Sequence, residues 1–128
     1  MTARSLDQAE IAYLGTQRLG RLATVDRNGA PQNNPVGFVY NAGLGTIDIG
    51  GRALAASRKF RNVAAGSRVA FVVDDLPSVD PWRVRMVEIR GTAEALTGVP
   101  ADELPAPGMS PELIRVHPER VYSFGLEE

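Results

Sequence analysis

The hexapeptide SRKFRN at residues 57–62 contains Lys59, the only lysine among 14 lysine and arginine residues. Ser57 is a favourable helix N-cap, and a helix that begins at Arg58 places Lys59 in its first turn. Cations are disfavoured there, because the start of a helix carries a partial positive charge. A bound phosphate would reverse this penalty, because its negative charge favours a nearby cation. Backbone N–H groups, a serine hydroxyl and flanking cations would hold it at the helix start. The candidate phosphate ligands are Ser57, Arg58, Lys59 and Arg61.

The same segment also fits a purely structural helix that ends at Gly66. In this interpretation Phe60, Val63 and Ala64 pack inward, and the charged side chains only meet solvent. The pattern of residues by itself leaves both interpretations open.

Several other kinds of site are excluded by composition. The chain has no cysteine, which removes disulfides, thiol nucleophiles and cysteine-ligated zinc. His117 is the only histidine, so it can anchor neither a usual zinc site nor a convincing Ser-His-acid triad. We therefore expect no metal and no catalytic side chain. A protein of this kind can still be an enzyme if a bound cofactor carries the chemistry.

The size and charge of the chain narrow its class. Its 128 residues, of which 44% are hydrophobic and 23% charged, fit a single domain over residues 1–128. A net charge of −1 argues against general binding to nucleic acid. No apolar run approaches the ~20 residues that a membrane helix needs, and residues 1–7 lack the apolar core of a signal peptide. We expect a cytoplasmic protein with no membrane contact.

Most of the chain alternates between apolar and polar residues, as strands do. Ser5 and Gln8 form a capping box, which predicts a helix over residues 6–14 that stops at Gly15. Asn28 and Gly29 predict a hairpin turn, and residues 96–111 have the proline and glycine content of a long loop. Strands are predicted over residues 21–26, 32–40, 46–50, 68–75, 84–96 and 112–126, the last broken at Pro118. Six short strands with few helices favour a small closed or half-closed barrel.

Five segments together resemble one known superfamily. They are RLATVDRNGAPQNNPVGF (21–38), IDIGGRALAASRKFRNV (47–63), VAFVVDDLPSVDPWRVR (69–85), EIRGTAEAL (88–96) and IRVHPERVYSFGL (114–126). The chain resembles the pyridoxamine 5′-phosphate oxidase-like split-barrel superfamily, and more narrowly its branch of F420-dependent oxidoreductases. Where that pattern continues with Pro-Arg-Gly, this chain has Val84, Arg85 and Met86, which add bulk near the expected cofactor rim.

The resemblance implies a mainly β fold, a six-stranded split β-barrel of the FMN-binding, Greek-key type with a few short helices. It implies a homodimer with two flavin or deazaflavin sites at the subunit interface. It also implies that Ser57, Arg58, Lys59 and Arg61 hold the cofactor phosphate, which agrees with the phosphate interpretation of the SRKFRN segment.

Further cofactor contacts are implied in three other segments. The second strand would lie along the tricyclic ring, and Trp82 and Arg83 would reach the site of the partner subunit. Gly50 and Gly51 would let backbone approach the ligand, although a simple turn is an alternative role. Pro35 fits a strand edge that faces a ligand or, alternatively, a bulge. The contacts expected from the second strand are Gln32, Asn34, Pro35 and Val36.

The resemblance therefore implies an oxidoreductase that transfers hydride between F420 and a small organic molecule. FMN is the alternative cofactor, since both share a tricycle, a ribityl chain and a phosphate. F420 adds an anionic lactyl-oligoglutamate tail, for which Arg52 or Arg61 would be useful. A non-catalytic flavin-binding or F420-binding protein is a further alternative, because its binding residues would be the same.

Overall fold

The computed structural model describes residues 4–126, and its strands close into a barrel in the order β1-β2-β3-β6-β5-β4. All neighbouring strands are antiparallel. This confirms the predicted mainly β barrel with a few short helices. Short 3₁₀ turns lie at Leu54–Ala56 and Ala101–Glu103. The main elements are α1 Gln8–Leu14, β1 Leu19–Val25, β2 Pro31–Asn41, β3 Thr46–Ile49, α2 Arg58–Ala64, β4 Val69–Ser78, β5 Arg83–Leu96 and β6 Leu113–Phe124.

The hairpin between β1 and β2 forms where its turn residues predict it. Gly29 has a φ of +83°, which is readily available to glycine, and the ladder resumes with Val25 opposite Pro31. The Asp26 carboxylate accepts hydrogen bonds from the N–H groups of Asn28 (2.8 Å) and Ala30 (2.9 Å). The turn is therefore stabilised by the side chain of Asp26 within it, which explains why local sequence predicts it.

The start of α1 differs from the prediction. Asp7 caps the helix: its carboxylate accepts from the Glu10 N–H (2.8 Å), and the Glu10 side chain accepts from the Asp7 N–H (2.9 Å). The predicted box of Ser5 and Gln8 has the same spacing but lies two residues too early. Gly15 has a φ of −66°, so it ends the helix without a left-handed residue.

α1 is attached to the barrel by buried polar contacts. Glu10 is fully buried and accepts hydrogen bonds from Arg4 (2.8 Å) and Ser123 (2.6 Å). Burial alone would raise the pKa of Glu10, but these bonds outweigh burial and the pKa is lowered. The Tyr13 hydroxyl donates to Asp75 at 2.8 Å. Both ends of α1 are thereby fixed to the barrel.

β6 is continuous through Pro118, where a break was expected. The ladder with β5 shifts its register between Arg90 and Gly91, so a bulge absorbs the proline. A Cβ atom at Gly91 would overlap the carbonyl oxygen of His117. A glycine opposite the proline is therefore what allows the two strands to remain paired.

Alternate side chains of the strands fill the barrel, and α2 packs against β1 and β5. Phe60 and Val63 are buried as predicted, whereas Ala64 is exposed and Asn62 is buried. The Asn62 amide donates to the Thr24 hydroxyl at 3.0 Å, which fixes α2 to β1. Within residues 4–126, no helix is long and apolar enough to cross a membrane. Fully buried core side chains include Leu14, Leu22, Ile47, Ile49, Phe71, Val73, Val87, Ile89, Leu113, Ile114 and Val116.

Candidate functional site

The first half of β2 has a strand ladder on one side only. It pairs with β1 from Pro31 to Gly37, whereas β3 covers only Phe38–Asn41. Pro35 lies opposite Arg21 and has no N–H to donate. One edge of this segment is therefore available to a ligand, which suits the role expected of residues 32–36.

Two polar side chains in this segment lack partners. Gln32 Oε1 and Asn34 Oδ1 are buried and accept no hydrogen bond. They share one face of β2 with the buried Val36, and a spacing of two residues puts them about 7 Å apart. A buried polar atom without a partner costs about 1–3 kcal/mol. The two oxygens thus fit a ligand with hydrogen-bond donors, such as the ring and ribityl chain of a flavin.

Ser57 is committed to the structure of α2. Its hydroxyl accepts from the Phe60 N–H (3.2 Å) and donates its single hydrogen to the Leu54 carbonyl oxygen (2.6 Å). In this geometry the hydroxyl has no hydrogen left for a phosphate. Ser57 therefore caps the helix as predicted, and a direct bond to a phosphate, which stays a prediction, would require its hydroxyl to turn away from Leu54.

Arg58 and Arg61 line a pocket of about 310 Å³ together with Arg27 from the β1–β2 turn. We call it the basic pocket. Asp26 also lines it, but its carboxylate is engaged within the turn. Within residues 4–126 none of the three arginines makes an ion pair or hydrogen bond with another side chain. The pocket therefore holds a local excess of positive charge on a chain of net charge −1.

Sequence reasoning missed Arg27. It lies 31 positions before Arg58, and only the packing of α2 on β1 brings the two arginines together. Its place directly before the predicted Asn28-Gly29 turn was the available signal, because a turn residue is exposed and can face a neighbouring element.

Lys59 lies on a different side of α2 from the basic pocket. Successive residues of a helix are about 100° apart, and Lys59 does not line the pocket formed by Arg58 and Arg61. Its side chain is half-buried and makes no ion pair or hydrogen bond with another described residue. A half-buried ammonium without a protein partner fits an external anion as its partner.

The space around Gly50 is filled by the protein itself. A Cβ atom at Gly50 would overlap the Met109 sulfur, so the Met109 side chain occupies the space beside this backbone, and the ligand contact expected at Gly50 stays a prediction. The Gly51 carbonyl accepts from the Ser110 N–H (2.8 Å) and hydroxyl (3.0 Å). Both glycines therefore contact the loop between β5 and β6.

Trp82 and Arg83 lie at the hairpin between β4 and β5. The Trp82 side chain is 69% exposed, which is unusual for the largest aromatic residue. Val84 and Met86 follow it as half-buried residues at the start of β5. Among residues 4–126, no cluster of three or more histidine, cysteine, aspartate or glutamate side chains is placed to hold a metal ion.

Comparisons with known proteins agree with this architecture. The family described as pyridoxamine 5′-phosphate oxidase matches residues 6–124. The chain is 51% identical over 120 residues to a 5a,11a-dehydrotetracycline/5a,11a-dehydrooxytetracycline reductase of Streptomyces rimosus, covering 94% of this chain and 83% of the relative.

Solved structures with low sequence identity share the fold. An F420 reductase is 23% identical with a TM-score of 0.68, covering 91% of this chain and 98% of its own. An FAD-binding protein from Mycobacterium smegmatis is 22% identical with a TM-score of 0.68, covering 97% of both chains. The barrel, the unpaired polar atoms of β2 and the family match lead to one conclusion: the chain belongs to the pyridoxamine 5′-phosphate oxidase family and is an oxidoreductase with a site for a flavin-type cofactor.

Proposed function

We propose that this oxidoreductase uses the deazaflavin F420 to reduce a small organic acceptor. The observation that carries the proposal is the set of unpaired cations at α2 and the β1–β2 turn: Arg27, Arg58, Lys59 and Arg61. FMN ends at its phosphate, whereas F420 continues into an anionic tail. Three of these cations line the basic pocket and Lys59 lies on another side of α2, so the set fits a phosphate at one place and the carboxylates of a tail at another.

The residues of the chain bind and orient the cofactor. Gln32 and Asn34 would accept hydrogen bonds from the ring and ribityl chain, and the cations would hold the phosphate and tail. When bound and reduced, F420 would supply a hydride to an electron-poor carbon of the acceptor, with a proton from solvent completing the two-electron reduction. The contribution of the protein is position and the exclusion of water.

The relative from Streptomyces rimosus supports a direction of reaction and a class of acceptor for this chain. Its name describes the reduction of a dehydrogenated tetracycline, a compound with fused rings and an extra double bond. We infer that this chain likewise reduces an electron-poor carbon–carbon double bond in a ring-containing molecule.

The choice of cofactor can be tested by titration. We expect F420 to bind more tightly than FMN by roughly tenfold or more, because each additional charge-assisted hydrogen bond contributes about 1.5–3 kcal/mol. Fluorescence quenching measured with both cofactors gives the two dissociation constants. The preference should diminish at high salt, since the tail contacts are exposed. Tighter binding of FMN, or no binding of either cofactor, would contradict the proposal.

We further propose that the protein is a homodimer in which Trp82 and Arg83 reach the site of the other subunit. The end of β6 lies beside the start of β5, with Phe124 opposite Met86, so exposed apolar side chains from both strands gather near this hairpin. An exposed apolar patch of this kind supports an interface with another protein chain. These exposed side chains are Leu76, Val79, Trp82, Tyr122 and Phe124.

Light scattering at micromolar concentration should give twice the chain mass of 13.7 kDa. Trp82→Ala should shift the equilibrium toward monomer, whereas Leu44→Ala, which removes an exposed side chain in the β2–β3 turn, should not. A stable monomer of the wild type would refute the dimer.

A further inference from the structure

A second pocket, of about 540 Å³, lies between α1, β2 and the loop that joins β5 to β6. We call it the apolar pocket. Ile11 and Leu14 of α1, Phe38 and Val39 of β2, and Met109 of the loop contribute its apolar wall. A concave site of this volume is in the range of small-molecule pockets, about 300–1,000 Å³. Its walls come from three elements and leave it half open to solvent, so the pocket suits a small molecule that is covered in part.

Gly37 leaves the β2 wall of this pocket open. A Cβ atom added there would meet nothing within 4 Å, and its φ is not positive. Neither packing nor backbone conformation therefore requires a glycine at this position. The bare backbone instead gives a flat surface against which a planar ligand can lie.

The apolar pocket has three polar side chains in its lining, Gln17, Arg18 and Tyr40. Arg18 lies at the rim, exposed, and makes no ion pair or hydrogen bond with another side chain of residues 4–126. Gln17 is already engaged, since its amide donates to Thr16 (3.1 Å) and Asp75 (3.4 Å). One available cation beside an apolar wall matches a ligand with one anionic or enolic oxygen.

The apolar pocket adjoins the proposed cofactor site through two connections. Along β2, Phe38 lines the pocket and lies two residues after Val36, on the same face of the strand as the residues expected beside the ring. In the loop, Met109 lines the pocket and packs on Gly50. The next residue, Ser110, accepts from the Leu54 N–H at 3.1 Å, three residues before the cap of α2. A ligand in the pocket would therefore lie next to a bound cofactor.

We infer that the apolar pocket binds the acceptor, and that the acceptor is an apolar ring-containing molecule whose acidic oxygen faces Arg18. The role as an acceptor site rests on the proposed function, whereas binding of such a molecule does not.

Binding can be measured with a pair of dyes that differ in charge. We expect 1-anilinonaphthalene-8-sulfonate, which is anionic, to bind one per chain with a gain in fluorescence. Gly37→Leu fills the pocket and should weaken this binding at least about tenfold, since the leucine occupies the space of the rings. Gly43→Leu is the matched control: it is exposed in the β2–β3 turn, with only the Asn41 side chain near its Cβ position. It should leave dye binding unchanged.

Arg18→Gln tests the polar end and carries little risk to folding, because Arg18 is exposed. It should weaken binding of the anionic dye by about tenfold, which corresponds to the loss of one charge-assisted hydrogen bond. The affinity of N-phenyl-1-naphthylamine, the neutral counterpart, should stay the same. An equal loss for both dyes would contradict the assigned role of Arg18.

Three outcomes separate this inference from the proposed function. Unchanged dye affinity in Gly37→Leu would overturn the apolar pocket as a ligand site. Conversion of the Gly37→Leu dimer to monomer, with Gly43→Leu still dimeric, would make the pocket a subunit contact and also overturn the inference. Failure of F420 to bind the wild type would overturn the proposed function, while loss of dye binding in Gly37→Leu would still support the pocket.

Discussion

Replacing Asp48 with alanine is expected to lower the free energy of unfolding by about 3–5 kcal/mol. The Asp48 carboxylate is 4% exposed and accepts two hydrogen bonds from the Arg115 guanidinium, at 3.0 and 3.1 Å. Asn41 and Thr46 each donate another at 3.0 Å. The substitution leaves Arg115, which is only 17% exposed, without its partner. Urea unfolding followed by circular dichroism measures the loss.

Asp74→Ala is the matched control for Asp48→Ala. Asp74 also pairs with an arginine, Arg21, but both side chains are well exposed, at 41% and 51%. An exposed pair contributes about 0–1 kcal/mol, because water solvates either charge alone. Equal losses in the two variants would show that burial of the Asp48 pair does not determine its contribution.

The contribution of Asp48 should depend on pH. Burial alone would raise the pKa of this carboxyl, but the bonds from Arg115, Asn41 and Thr46 outweigh burial and hold it below its usual value. A group whose pKa is lower in the folded state stabilises the fold above its unfolded value, about 3.9. The difference between wild type and Asp48→Ala should therefore persist from pH 7 to about 5 and shrink as the pH falls below about 4.

Local sequence predicts strands, turns and helix caps well, because each of these features depends on residues that are close together in the chain. The alternation of β5, the Asn28-Gly29 turn and the Ser57 cap all correspond to observed features. The start of α1 is different, since two capping boxes overlap in the sequence. The box of Asp7 and Glu10 is the one that forms, and the Glu10 carboxylate also accepts a buried hydrogen bond from Ser123, a residue 113 positions away. No local pattern contains that contact.

The candidate site is harder to predict than the fold, because its residues come from distant parts of the chain. The SRKFRN segment indicates an anion site, but Arg27 joins it only after the barrel forms. Gly50 suggests room for a ligand, yet Met109 of the distant loop fills that room. The unpaired oxygens of Gln32 and Asn34 are visible only when burial and hydrogen bonding are known.

Replacing Lys59 with alanine is expected to weaken F420 binding by about ten- to a hundredfold, or about 1.5–3 kcal/mol, through the loss of one charge-assisted hydrogen bond. Stability of the cofactor-free protein should be unchanged or slightly higher. The first turn of α2 holds no acidic residue, and the substitution removes a cation from the positive end of the helix dipole. Lys59→Arg should also cost measurable affinity, since a planar fork does not replace a compact ammonium in a tight site. Calorimetric titration and thermal unfolding measure both effects.

Comparison of the two cofactors separates phosphate contacts from tail contacts. If Lys59 binds the phosphate, Lys59→Ala should weaken the binding of FMN and of F420 by similar factors, because both cofactors carry that group. If Arg61 in the basic pocket binds the tail, Arg61→Ala should weaken the binding of F420 and leave the binding of FMN unchanged. Arg68→Ala is the control for charge, because it removes a cation that already pairs with Glu119 and should change neither affinity. Unchanged affinity for both cofactors in Lys59→Ala would contradict the phosphate role of the single lysine, and its half-buried ammonium would then require another partner.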